Sequence, residues 1–92
     1  MKKNKNQKVS IVMGSQSDFK TMKLSAEILK KMGIKFEIKI ISAHRTPKRM
    51  FDFAISAEKN NVAVIIAGAG GSAHLPGMIS ALTSVPVLGV PI

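Results

Sequence analysis

The chain of 92 residues has no cysteine, tryptophan or tyrosine, and its five acidic residues face fourteen Lys and Arg. Without cysteine there is neither a disulfide framework nor a thiolate metal site. That composition is compatible with a reducing compartment, and a cytoplasmic location is expected. Long apolar runs are missing too. Val9 to Met13 is too short for the apolar core of a signal peptide, and Val62 to Ala67 is too short to span a membrane. His44 and His74 do not stand at a metal-ligand spacing with the few acids, so no metal is expected.

The net charge of +9 invites a nucleic-acid reading, but the positions of the charges argue against it. Lys2, Lys3, Lys5 and Lys8 lie in a polar stretch with Asn4, Asn6 and Gln7, and Lys20, Lys23, Lys30 and Lys31 are spread over one helical segment. No aromatic residues are interleaved with them to stack bases, so specific nucleic-acid binding is not expected.

The length fits one small domain. Residues 1–8 read as a disordered basic tail and residues 9–92 as the domain. Val9 to Met13 reads as a strand closed by Gly14. Ser17 and Asp18 are competent caps for a helix over Phe19 to Met32, whose buried stripe is Met22, Ala26, Leu29 and Met32. Gly33 is its stop. Lys35 to Ile41 is a second strand, with Phe36, Ile38 and Ile40 on one face. Thr46 can cap a second helix with Pro47 at its first position, and Met50, Phe51, Ala54 and Ala57 form its stripe up to Asn60-Asn61. Val62 to Ala67 has the continuous apolar character of a strand covered on both faces. Gly68 to Gly71 reads as a turn, Pro76 to Leu82 as a third helix, and Val85 to Val90 as a fourth strand. The alternation implies a parallel sheet with right-handed crossovers. The fourth strand would be an exposed apolar edge, which suggests a fragment, or an edge that something else covers.

Three strand ends carry unusual loops, and in this topology all three belong on one rim, where ligands collect. In Gly14-Ser15-Gln16-Ser17-Asp18, the hydroxyls and the helix N-terminus suit a phosphate, while Asp18 suits ribose hydroxyls. A capped helix start without any ligand accounts for the same residues. In Ser42-Ala43-His44-Arg45-Thr46-Pro47, Arg45 offers a permanent forked cation, and His44 can give and take a proton near neutral pH. A histidine bonded to backbone at a helix start is the alternative. The glycines from Gly68 to Gly71 mean either close approach to a ligand or tight helix–strand packing. A phospho-acceptor receiver domain would share the fold, but its mechanism wants an aspartate where this third strand ends in Gly68.

With Gly14-Ser-Gln-Ser-Asp18, Ser42-Ala-His-Arg-Thr-Pro47 and Gly68-Ala-Gly-Gly-Ser-Ala-His-Leu-Pro-Gly-Met78 in order, the chain resembles the PurE family from about Val9 to its last residue. These are the N5-carboxyaminoimidazole ribonucleotide (N5-CAIR) mutases of purine biosynthesis. Ser17 to Met22 is closer to the bacterial mutase type than to the animal-type aminoimidazole ribonucleotide carboxylase, which uses free CO2. The resemblance implies a flavodoxin-like three-layer α/β/α fold, an octamer, and isomerisation of N5-CAIR to 4-carboxy-5-aminoimidazole ribonucleotide (CAIR) without metal or cofactor. By that analogy His44 is the general acid/base. Ser15, Asp18 and Arg45 match substrate-binding positions, with Ser17 and Ser42 helping around the ribose phosphate. Gly70 and Gly71 would border the imidazole and CO2, with His74 close by. Family members continue past this length, so a non-catalytic fragment that keeps the phosphate site is the competing expectation, as is the carboxylase.

Overall fold

The computed structural model of the chain describes residues 7–70 and 74–92. Among these, β1 (Lys8–Met13), β2 (Phe36–Ile40), β3 (Val62–Ala69) and β4 (Val87–Pro91) form a sheet in the order β2-β1-β3-β4. Every pairing is parallel. The connecting helices are α1 (Phe19–Lys31), α2 (Pro47–Ser56) and α3 (Leu75–Leu82). A parallel ladder puts all strand carboxyl ends on one rim, and this order reverses direction beside β1, the position where open sheets part to admit a ligand.

The central strand β1 supplies both cores by simple alternation. Ile11 and Met13 pack against Met22 and Ala26 of α1, backed by Leu29, Phe36, Ile66 and Val90. Val12 faces the other way and joins Ile41, Met50, Phe53, Ile65, Leu75 and Ile79 beneath α2 and α3. The result is a flavodoxin-like three-layer arrangement, with a single helix on one side.

Several local expectations are corrected. In α2 the buried aromatic is Phe53, while Phe51 is 45% exposed. Met50, Phe53, Ala54 and Ala57 follow the three- and four-residue steps of a helical face, whereas Phe51 lies about 100° round from Met50. Met32 is 64% exposed because it is the C-cap of α1, beyond its last packed turn. Ile38 and Ile40 share the face of Phe36, but they sit on an edge strand and stay 39% and 37% exposed.

Lys8 was expected in the tail. Lys8 already belongs to β1, its N–H donating to the Asn61 carbonyl at 3.0 Å, and residues 1–6 lie outside the described residues. Gly33 ends α1 as expected, with φ +71°. Gly68 is not in a turn: β3 runs two residues further, to Ala69. A Cβ on Gly68 would lie 2.3 Å from Met22 Sδ, so the bare backbone lets α1 close on the sheet. Pro86 has no N–H for a ladder, and β4 starts after it, with the Pro86 carbonyl accepting from Ile65 N–H at 2.9 Å. No helix among the described residues is long and apolar enough to cross a membrane.

Fully buried Ser10 donates to Glu37 Oε2 at 2.5 Å, and Lys8 Nζ lies 3.0 Å from Glu37 Oε1. Burial pushes the Glu37 carboxyl up, but the Ser10 and Lys8 hydrogen bonds and the charges of Lys39 and Lys8 outweigh it. The group therefore lies below its ordinary 4.5. A carboxyl held low in the folded state stabilises above its unfolded pKa, and that stability is lost as pH falls through the folded value. Urea midpoints should show it. The gap between the native chain and Glu37→Gln should be widest at neutral pH and shrink as pH falls through the lowered folded value. A gap independent of pH would contradict the charged role of Glu37.

Candidate active site

Three loops meet on the carboxyl rim around a cavity of about 240 Å³. Gly14, Ser15 and Asp18 line it from the first loop, Ser42, Ala43 and His44 from the second, and Ala69, Gly70 and Leu75 from the third. A slightly larger cavity, about 270 Å³, opens among Lys8, Glu37, Lys39 and Lys59. There Lys8 is paired with Glu37 and Lys39 Nζ sits 5.6 Å from the centre of the Phe53 ring. Among the described residues, none from the three loops lines that cavity, and no histidine does. The smaller one is the candidate site.

The first loop leaves β1 at Gly14 and makes a 3₁₀ turn, Gln16–Asp18, before α1. Ser17 and Asp18 do not cap α1 as expected. Asp18 stands at the N-cap with helical angles and no side-chain cap bond, and the Ser17 hydroxyl lies 2.7 Å from the Ser15 hydroxyl. A carboxylate that is not spent on capping remains on the cavity wall. The capped-start explanation of this loop therefore loses its main support.

The second loop is closed on itself. Arg45 N–H donates to Ser42 Oγ at 3.0 Å, and Thr46 N–H donates to the Ser42 carbonyl at 2.9 Å. Thr46 was expected to cap α2, yet its hydroxyl turns backward. Its Oγ1 accepts from Ser42 N–H at 3.0 Å and donates to the Ser42 carbonyl at 3.1 Å. Arg45 reaches across to the first loop, its Nη2 donating to the Gly14 carbonyl at 3.2 Å. The His44 side chain makes no hydrogen bond to a described residue, against the reading of a backbone-bonded histidine.

The third loop places Gly70 on the wall, and Gly71 lies outside the described residues. Among the described residues, a Cβ on Gly70 would meet the Ile92 carbonyl at 3.5 Å and the Ile92 Cβ at 4.0 Å, both ordinary contacts. Crowding therefore explains Gly68 and not Gly70. His74 precedes α3, and its ring centre is 6.5 Å from that of His44, at 69° between planes. Among the described residues, no three His, Cys, Asp or Glu side chains gather as a metal cluster would require.

Ser15, Asp18, Ser42, His44 and Gly70 thus share one cavity wall. Arg45, Ser17 and His74 stand just behind it through Gly14, Ser15 and His44. Sequence reasoning missed the apolar wall of Ala43, Ala69 and Leu75, and the backward bonds of Thr46. The four-residue spacing of Ser42 and Thr46 was the available signal for those bonds.

Residues 8–92 match the family described as AIR carboxylase. The chain is 59% identical over 85 residues to the N5-carboxyaminoimidazole ribonucleotide mutase of Vibrio parahaemolyticus, covering 92% of this chain and 53% of that protein. The mutase of Thermotoga maritima is also 59% identical, with 92% and 50% covered. That of Escherichia coli is 57% identical over 90 residues, with 98% and 53% covered. The chain therefore spans about half the length of these relatives. Among solved structures, Treponema denticola PurE superposes with a TM-score of 0.82 at 30% identity, covering 91% of this chain and 54% of that one. A substituted PurE2 from the same organism gives 0.86 at 28%, with 95% and 55% covered. By sequence and by fold alike, the chain belongs to the AIR carboxylase family, the PurE family that its three loops resemble.

Proposed function

We propose that residues 8–92 form the N-terminal portion of an N5-CAIR mutase, with the cavity between the three loops binding the ribonucleotide. The observation that carries this reading is the placement of Ser15, Asp18, Ser42, His44 and Gly70 on one wall, with Arg45 clasped behind it. In the reaction, His44 as imidazolium gives its proton to N5 while the N5–carboxyl bond breaks, its electron pair staying on nitrogen and CO2 departing. C4 of the aminoimidazole then attacks the trapped CO2. Neutral His44 removes the C4 proton, which restores both the aromatic ring and the imidazolium, so the cycle leaves no net proton change. An imidazole is the side chain suited to both transfers near neutral pH.

The rest of the site orients and confines. Arg45 pairs with the phosphate through charge-assisted hydrogen bonds, and Ser15, Ser17 and Ser42 offer hydroxyls around it. Asp18 accepts from the ribose hydroxyls. Gly70 and His74 border the imidazole and the CO2. Holding CO2 against C4 is a proximity effect, and such effects supply up to roughly 7–11 kcal/mol. The scheme calls for neither a metal nor a cofactor.

The same reading places the protein in the cytoplasm as an octamer. Leu24 and Ile28 on α1 and Met32 at its C-cap, spaced four residues apart, are 56%, 58% and 64% exposed, which favours burial against another surface. Sedimentation that finds only monomer would oppose the octamer. The site itself is tested by titrating isotope-labelled chain with CAIR. Amide shifts should concentrate at Gly14 to Asp18, Ser42 to Arg45, and Gly70. Shifts confined to Lys8, Lys39 and Lys59 would place binding in the other cavity and end this reading.

A further inference from the structure

We propose that Thr46 is a positioning residue that sets the direction of the His44 imidazole by locking the turn on which it rides. The inference rests on the reading of His44 as the acid/base. The imidazole makes no hydrogen bond to a described residue, so among these only its backbone and its packing, with the His74 ring centre 6.5 Å away, set its direction. That backbone is one five-residue turn, Ser42 to Thr46. Thr46 closes it at the far end with three bonds to the Ser42 backbone: its N–H and its Oγ1–H both donate to the carbonyl, and Oγ1 accepts the Ser42 N–H. Ser42 then holds Arg45 N–H through its own hydroxyl. The Thr46 hydroxyl thus fixes both ends of the segment that carries His44 and Arg45, without lining the cavity itself.

Two consequences separate this role from ordinary helix capping. A cap bonds forward, to the first N–H groups of its helix, and its loss would fray α2. The Thr46 hydroxyl bonds backward, so its loss should loosen the turn and leave α2 in place. Serine can also make both backward bonds, whereas valine, of nearly the same shape, makes neither and leaves the Ser42 N–H without its partner.

The test compares Thr46→Val and Thr46→Ser with the native 92-residue chain. In Thr46→Val, exchange of the Ser42 amide should accelerate about tenfold, as loss of one net hydrogen bond implies. The His44 ring signals should move towards their unfolded positions while the amides of α2 stay unchanged. For N5-CAIR, kcat should fall by up to about 10²-fold, on the order expected for a small misplacement of a reacting group, and by more than KM rises, because the Arg45 guanidinium keeps its own bond to the Gly14 carbonyl. Thr46→Ser should restore all of these. Native exchange, ring signals and kcat in Thr46→Val would overturn the proposal, and so would failure of serine to rescue. If the native chain turns over no N5-CAIR, the acid/base reading of His44 falls. The exchange rates and ring signals then decide the role of Thr46 by themselves.

Discussion

His44→Asn is expected to lower N5-CAIR turnover by roughly 10²–10⁴-fold, the contribution typical of a positioned acid/base group. Asparagine keeps much of the size and hydrogen-bonding character of the side chain but cannot cycle a proton near neutral pH. His44 makes no hydrogen bond to a described residue, so among these the exchange removes no polar support. Unfolding stability should therefore stay within about 0.5 kcal/mol of the native chain, and affinity for CAIR within about twofold. That split, with chemistry lost and binding kept, distinguishes a proton carrier from a structural residue. Turnover that survives the exchange would remove His44 from the reaction. Loss of binding in parallel with turnover would make it a contact residue only.

Arg45→Ala should act on the other axis. Its guanidinium already donates to the Gly14 carbonyl at 3.2 Å, which draws the first and second loops together and leaves further donors of the fork for a ligand. Hydrogen bonds to charged groups are worth about 1.5–3 kcal/mol, so CAIR affinity should drop roughly 10- to 100-fold. Arg45→Lys keeps the charge without the fork and should fall between the two. Raising the salt should weaken the native chain more than Arg45→Ala, because the charge is exposed to screening. Calorimetry on the three chains reads all of this. Equal affinity in native chain and alanine variant would confine Arg45 to the clasp on Gly14.

Much of the architecture was legible because it depends on long-period signals. The alternation of apolar runs with capped helical stretches predicts the parallel sheet, and the three chemistry-bearing loops fall on its carboxyl rim as expected. Gly33, with φ +71°, is a stop that only local stereochemistry dictates, so it too was readable. What could not be read depended on neighbours distant in sequence. Gly68 looks like part of a glycine turn until Met22 is seen packed where its Cβ would be. Phe51 and Phe53 lie about 200° apart round α2, and the sheet beneath decides which of the two faces is buried.

The hydroxyls were the least legible residues. Ser17, Asp18 and Thr46 all fit the helix-cap pattern, yet none makes a side-chain cap bond. Ser17 turns to Ser15, and Thr46 turns to Ser42. In each case the side chain serves the loop that faces the cavity rather than the helix that follows it. A cap pattern at a strand-to-helix turn is therefore ambiguous between ending a helix and shaping a site. The four-residue separation of Ser42 and Thr46 carried that second meaning.

The central claim is that these three loops carry out carboxyl transfer from N5 to C4 on an aminoimidazole ribonucleotide. Incubation of the folded 92-residue chain with N5-CAIR, followed for CAIR, tests it most directly. The account predicts CAIR formation well above the spontaneous rate, lowered roughly 10²–10⁴-fold by His44→Asn, with no comparable gain when aminoimidazole ribonucleotide and bicarbonate replace N5-CAIR. Conversion at the spontaneous rate by a chain that is folded would contradict it.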